Sequence, residues 1–223
     1  GDCLVIQGPP GTGKTYTAAR LIISLIAKGK GIGVCSNSHK AILNLVDECC
    51  IAARKENIPL RVLKAGGDKD ESMIDKHPNI EFVDGGKKAI ESWIAAGKRP
   101  LIAGTAWLFA SDGWVEGDSD DRLDFLFIDE AGQVSLANTV AASRSAKNLV
   151  LLGDQMQLEQ PIQGLHPGDA GLSALQYALK DVEESKEGAP VIHPVVPEGT
   201  GLFLGVSRRM HPDVCEFISD SVY

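Results

Sequence analysis

GPPGTGKT, at 8–15, has the residues in the order needed to hold a phosphate, fitting the pattern GxxxxGK[ST]. Glycines let consecutive backbone N–H groups turn inward around a β-phosphate, and a helix that follows points its positive N-terminal end at the same charge. Pro9 and Pro10 stiffen this loop but cannot donate, so the donors fall to Gly11, Thr12, Gly13, Lys14 and Thr15. Lys14 is expected on the β- and γ-phosphates and the Thr15 hydroxyl on Mg²⁺. Gly8, Pro10 and Tyr16 complete the candidate nucleotide-binding set. A second group, FLFIDEAGQ at 125–133, ends an apolar run in two acids. Asp129 suits a magnesium ion through its water shell. Glu130 suits the polarisation of an attacking water as general base. A glycine-rich turn and a solvated strand end are the plain alternatives, and each loses ground when the other group is present.

These residues need elements to hold them, and the pattern supplies strands alternating with helices. CLVIQ (3–7) is an apolar run leading into the glycine loop. Ala18, Leu21, Ile22, Leu25 and Ile26 then recur at helical spacing, and Gly29 can stop that helix. IGVCS (32–36) reads as the next strand. Ile42, Leu45, Val46, Cys49, Cys50 and Ala53 share one face of the helix after it. Further strands are expected at 61–66, 101–106, 125–131, 148–154 and 202–207. The composition turns polar from Gly67 to Arg99, which reads as a small insertion carrying one helix around Ile90, Trp93 and Ile94. The Gly- and Pro-rich stretch 160–200 carries one amphipathic helix marked by Leu172, Leu175 and Leu179. Strands buried on both faces read as continuous apolar runs, so the expected fold is α/β with a parallel sheet and helices on both faces. The apolar strand before the loop and the helix after it make this a P-loop NTPase pattern.

Bulk composition narrows the partners. The 223 residues suffice for one sizeable core. No apolar run approaches the ~20 residues needed to cross a bilayer, and GDCLVIQG lacks the basic region of a signal peptide, so no membrane partner and a cytoplasmic location are expected. Five cysteines without a CxxC pair indicate neither a zinc site nor a disulfide framework. The net charge of −8 argues against a broadly basic nucleic-acid footprint, so any such contact must be local.

Later strand ends specify the class. LVLLGDQMQLEQP (149–161) places Gly153, Asp154 and Gln157 just past a buried strand, and LFLGVSRRMHPDVCEFISDSVY (202–223) places Arg209 in a turn before a helix that Pro212 could open. DEAGQ, GD followed by QL, and RMHP followed by a phenylalanine and a closing tyrosine resemble the signatures of superfamily 1 helicases of the Upf1-like (1B) branch, which also includes Dna2-like enzymes. The resemblance runs from the first strand to the last residue. The LEQPIQGLHPG loop looks most like a bacterial group in which such a helicase follows a RecB-like nuclease.

The resemblance implies a RecA-like motor domain over 1–223, a cofactor pair of ATP and Mg²⁺, and single-stranded nucleic acid as partner, with DNA favoured over RNA and 5′ to 3′ movement. Gln157 then matches the glutamine that senses the γ-phosphate, and Arg209 an arginine that reaches it across an interdomain cleft. A helix-capping glutamine and an arginine paired with Asp213 or Glu216 remain as structural alternatives. SNSHKAILNLV (36–46) resembles motif Ia, making Ser36 and Asn37 backbone contacts, and GTAWLFA (104–110) the motif in which Thr105 binds phosphate. Trp107 is a candidate stacking platform, though an aromatic beside a buried strand more often belongs to a core. Arg208 stands where the family usually has an aromatic against the adenine, so its planar guanidinium is expected to stack instead. After Gln157 the family commonly runs into two prolines, whereas here Leu158 is followed by Glu159, Gln160 and Pro161. By the same resemblance an adenine-reading glutamine would precede Gly1 and a second RecA-like domain would follow Tyr223. Without these, the chain is expected to bind nucleotide and hydrolyse it very slowly. A non-motor P-loop switch and a nucleic-acid-binding module are the alternatives from other classes. No NKxD motif supports a GTPase.

Overall fold

A computed structural model of the chain describes residues 2–97, 100–114, 122–157, 164, 166–181, 191–209 and 216. Eight strands lie in one sheet: β1 (Cys3–Gln7), β2 (Ile32–Cys35), β3 (Val62–Ala65), β4 (Ile80–Val83), β5 (Leu101–Gly104), β6 (Leu123–Ile128), β7 (Ala146–Gly153) and β8 (Gly201–Phe203). Their order is β4-β3-β5-β2-β6-β7-β1-β8, and every pairing is parallel. This is the expected P-loop, RecA-like α/β arrangement.

Parallel strands need crossovers, and the helices supply them on both faces. On one face, α1 (Lys14–Ala27) and α2 (His39–Glu56) cover Ile6, Val34, Phe127 and Leu152. The expected face of α2 is the buried one throughout. In α1 the buried set is Ala18, Ala19, Ile22 and Ile23, a slight rotation from the expected face that leaves Leu21, Leu25 and Ile26 only partly covered. Gly29 ends this helix at φ 74°, as its position suggested. Ser38 opens α2 by accepting a hydrogen bond from the Ala41 N–H at 3.1 Å. On the other face lie α4 (Gly86–Ala95), α5 (Ala106–Phe109), α6 (Leu136–Ser143) and α7 (Ala174–Ala178), against Leu63, Ile102, Leu126 and Leu151. Each fully buried Leu or Ile contributes about 1.5–3 kcal/mol, so both faces are needed to hold the sheet.

The segment 67–99 sits inside this frame rather than beside it. It holds α3 (Glu71–Lys76), α4 and an unexpected strand, β4, which pairs with β3 from Val62 opposite Ile80. IEFV is a four-residue edge strand with only Ile80 and Val83 buried, too brief to show a period. Helix α4 lies where Ile90 and Trp93 marked it, and the Trp93 indole N–H donates to the Pro100 carbonyl at 2.8 Å. Trp93 and Trp114 pack with ring centroids 5.5 Å apart, a core role for both.

Other differences are local. Helix α7 is only five residues, framed by a reciprocal cap between Ser173 and Gln176, and Leu172 lies just before it. Strand β8 stops at Phe203. Helix α6 was not foreseen. The helix expected at Pro212, Asp213, Cys215 and most of the LEQPIQGLHPG loop lie outside the described residues. Among those described, Cys3, Cys35, Cys49 and Cys50 are free thiols, no cluster of metal-ligating side chains forms, and no helix is long and apolar enough to cross a membrane.

Candidate functional site: a nucleotide cleft at the carboxyl edge of the sheet

An all-parallel sheet delivers every strand's C-terminal end to one edge, where open α/β folds bind ligands. The strand order decides which ends meet. Strand β7 lies between β1 and β6, so the Asp154–Gln157 turn sits between the glycine loop and the paired acids.

The loop after β1 is shaped by close backbone approaches. Gly11 and Gly13 have φ of 83° and 87°, a region that side chains disfavour. A Cβ on Gly11 would stand 2.5 Å from the Arg209 Cβ, and one on Gly8 would stand 2.4 Å from Thr12 Oγ1. Thr12 Oγ1 donates to the Pro9 carbonyl at 2.9 Å. Thus Gly8 and Thr12 shape the loop while its neighbours face the cleft. Lys14 Nζ donates to the Gly8 and Pro9 carbonyls at 2.5 and 3.3 Å, which parks the ammonium on the loop's own oxygens. Burial lowers its pKa, the carboxylates of Glu130, Asp154 and Asp129 pull it back up, and Arg209 lowers it further.

Asp129 is 6% exposed, and its carboxyl is pushed up to about 6, first by burial and then by the Glu130 charge. The Glu130 N–H, donating to Asp129 Oδ1 at 3.0 Å, and the Lys14 ammonium work the other way. Glu130 occupies the left-handed region at φ 53°, a conformation that costs free energy for a non-glycine residue and fixes the direction of the turn after β6. A buried carboxylate seeking charge compensation, beside a loop that only glycine permits, fits a divalent cation and a phosphate. Asp129 and Thr15 would hold the magnesium ion.

Two glycines bring the loops together. A Cβ on Gly132 would meet the Asp154 carbonyl at 2.7 Å, and one on Gly153 would meet the Ala131 and Gly132 amides at 3.1 Å. The Gly8 N–H donates to the Gly153 carbonyl at 3.1 Å. The paired-acid turn, the β7 turn and the phosphate loop therefore pack backbone against backbone. Gln157 is oriented by its own turn, donating from Nε2 to Asp154 Oδ2 at 3.1 Å. From the other side the segment after β8 latches on. The Arg208 N–H donates to the Gly11 carbonyl at 3.0 Å, and Ser207 Oγ to the Pro10 carbonyl at 3.2 Å.

The product is one cleft of about 580 Å³ lined by Pro10, Gly11, Gly13, Lys14, Thr15, Tyr16, Asp129, Glu130, Gln157, Arg208 and Arg209. Arg209 is exposed and makes no ion pair among the described residues, which leaves its guanidinium to the cleft. Tyr16 carries the Arg20 guanidinium over one ring face, 3.3 Å from the centroid. Three lining residues escaped the sequence reading: Asn44, Asp47 and Glu48 of α2. Asp47 is held by Lys76 at 2.7 Å and by the buried His77 at 2.5 Å. On the polar side of an amphipathic helix they looked like any solvated face, and only their i, i+3, i+4 spacing grouped them.

The candidate strand contacts divide. Asn37 is exposed and its side-chain amide donates to the Gln133 carbonyl, next to the paired-acid turn. Thr105 caps α5 by position without a side-chain hydrogen bond. Trp107 is 81% exposed, contrary to the expectation that it joins the core, because Leu108 and Phe109 turn inward in its place. Ser36 is the correction. It is 1% exposed, since it directly follows β2, which is buried on both faces of the sheet, and it presents no hydroxyl at the surface.

A family model described as an AAA domain matches residues 1–170. The chain belongs to this family. It is also similar to DNA-binding protein SMUBP-2 of Rattus norvegicus, 24% identical over 100% of this chain and 25% of that protein. The DNA replication ATP-dependent helicase/nuclease DNA2 of Saccharomyces cerevisiae is 28% identical over 70% of this chain and 10% of its own. Regulator of nonsense transcripts 1 of Caenorhabditis elegans is 28% identical over 98% and 21%. The chain thus spans a quarter or less of the length of these relatives. They bear out the Upf1-like and Dna2-like resemblance carried by DEAGQ, Gly153–Asp154 and the final arginines. Among solved structures, FtsY of Mycoplasma mycoides aligns over 67% of this chain and 50% of its own, at 14% identity and a TM-score of 0.24, too small a likeness to bear on the fold.

Proposed function

We propose that this chain is the first RecA-like half of a superfamily 1 nucleic-acid motor, binding ATP with magnesium and hydrolysing it when a second domain closes over the cleft. The observation that carries this reading is the convergence of Lys14, Asp129, Glu130, Gln157 and Arg209 on one cleft. Inward-turned amides of the loop and the Lys14 ammonium hold the phosphates. Magnesium, when bound, neutralises charge on the β- and γ-oxygens. Glu130 accepts a proton from the attacking water, with its carboxylate aimed by the strained turn after β6. Gln157, fixed through Asp154, reports the γ-phosphate to the neighbouring loop. Arg209 stabilises charge spreading over the equatorial oxygens. Arg208, on the same cleft wall, stacks on the base, and Tyr16 offers a second flat surface.

The track is single-stranded nucleic acid along the ends of β2 and β5, met by Asn37, Thr105 and Trp107. Hydroxyls, amides and an aromatic face hold a backbone without reading sequence, as a motor that passes any base requires. DNA is the favoured track, with 5′ to 3′ movement and a nuclease partner domain as in the Dna2-like relatives. The test is ATP hydrolysis by the chain joined to a second RecA-like domain, with single-stranded DNA, single-stranded RNA or neither. Stimulation by one of them supports the motor and names its track. Nucleotide binding without stimulation by either favours a P-loop switch.

A further inference from the structure

Ser36 has two candidate tasks, and its position in the sheet separates them. Strands β2 and β6 pair with Cys35 opposite Ile128, and the Asp129 N–H donates to the Cys35 carbonyl at 2.8 Å. One step further along the same ladder, Ser36 comes beside Asp129. Facing residues of a parallel pair point to the same side, and alternate residues along a strand share it. Ser36 therefore follows Val34, and Asp129 follows Phe127, toward the face covered by α1 and α2. That is the face on which α1 begins with Lys14 and Thr15. Ser36 is 1% exposed, and its Oγ has no hydrogen-bond partner among the described residues. A buried hydroxyl without a partner is destabilising, so its place beside Asp129, which lines the cleft, calls for a partner that arrives with the ligand.

We propose that Ser36 accepts a hydrogen bond from a water on the magnesium ion held by Asp129 and Thr15, and is not a contact for the nucleic-acid strand. This rests on the nucleotide reading above. A water on a divalent cation is a strengthened donor, and an orphaned hydroxyl oxygen beside the metal-binding carboxylate is a suitable acceptor. The consequence reaches the strand edge by one peptide bond. Asn37 follows Ser36 directly, is exposed, and is tied to the Gln133 carbonyl of the paired-acid turn. Metal occupancy is thereby sensed at the residue next to a strand contact.

The test uses the chain with ADP and Mn²⁺ in place of Mg²⁺, following bound manganese by electron paramagnetic resonance. Ser36→Ala is expected to weaken Mn²⁺ binding in the ADP complex by about tenfold, the usual scale for partners of metal-bound groups. Ser36→Thr, which keeps the hydroxyl, should restore it. Metal-free ADP affinity and binding of a fluorescent oligothymidine should stay unchanged in Ser36→Ala. Removing an orphaned hydroxyl should also raise the Tm of the nucleotide-free chain by about 2–4 °C, so misfolding cannot imitate the result. Unchanged Mn²⁺ affinity in Ser36→Ala with intact wild-type binding overturns the assignment alone, and lost oligonucleotide binding would return Ser36 to the strand. Failure of the wild-type chain to bind Mn²⁺ with ADP overturns the nucleotide reading and this proposal together.

Discussion

The two halves of the sheet's carboxyl edge are built differently. At β1, β7 and β6 the loops touch through backbone at Gly8, Gly132 and Gly153, and Asp129 among them is buried. At β2 and β5 the edge is open, with Asn37 exposed and Trp107 almost wholly in solvent. A site that stabilises developing charge depends on donors and acceptors fixed before reaction. A site that must release and regrip a strand gains from shallow contacts that cost little to make. On the proposed reading, one edge is set for chemistry and the other for passage.

The largest effect that would break this contrast lies at Arg209. Arginine fingers contribute about 10³- to 10⁵-fold in related NTPases, so Arg209→Ala in the two-domain protein should lower kcat on that scale. Nucleotide binding by the single chain should change little. A matching loss of nucleotide affinity would make Arg209 part of the latch on Gly11 rather than a transition-state group.

Asp129 offers a test of the buried side through pH. Its folded pKa of about 6 lies above the ordinary 3.8, so ionised Asp129 costs stability above pH 6. That cost fades as pH falls through 6 toward 4, because the folded state takes up its proton first. Asp129→Asn should therefore stabilise the nucleotide-free chain by roughly 1–3 kcal/mol at pH 8, with the gain shrinking toward pH 4. Denaturation midpoints at several pH values check this, and a gain independent of pH would refute the burial argument. The same variant should lose metal-dependent nucleotide binding.

Gly132→Ala examines the brace between loops. Its Cβ would press on the Asp154 carbonyl, which is backbone and can give way only by moving a turn. A loss of about 1–3 kcal/mol in stability is expected, together with weaker coupling between nucleotide and strand. An unchanged Tm would show that the two turns are looser than they look.

These residues also mark how far the sequence could be read. The glycine loop and the paired acids were readable because each chemistry requires particular residues at a strand end, whereas Gln157 and both arginines were singled out only through the family resemblance. Their meeting in one cleft follows from β7 lying between β1 and β6, and order in a sheet leaves no local trace. Gly132 and Gly153 looked like ordinary turn glycines, since a backbone approach from another loop is nonlocal. Asp47 was hidden for the same reason, its partners Lys76 and His77 coming from a segment read as an insertion. Ser36 was placed at the strand edge by motif position, although it directly follows β2, whose residues are buried on both faces of the sheet. Strand β4 was too short and too exposed on one side to stand out.

The smallest expected effect belongs to the open edge. Trp107 is held by a four-residue helix whose neighbours Leu108 and Phe109 are buried, so its ring stays presented while making little contact of its own. Base stacking on an aromatic is worth about 1–3 kcal/mol, and one exposed platform with no cation over its ring among the described residues should fall near the lower figure. Trp107→Ala is thus expected to weaken oligothymidine binding about fivefold, with Trp107→Phe recovering most of it and neither change moving the Tm. Anisotropy titrations at fixed salt measure the first, and thermal melts the second. A falling Tm would place the ring in the fold's own packing, and undisturbed affinity with an undisturbed Tm would leave Asn37 and Thr105 to hold the strand by its backbone alone.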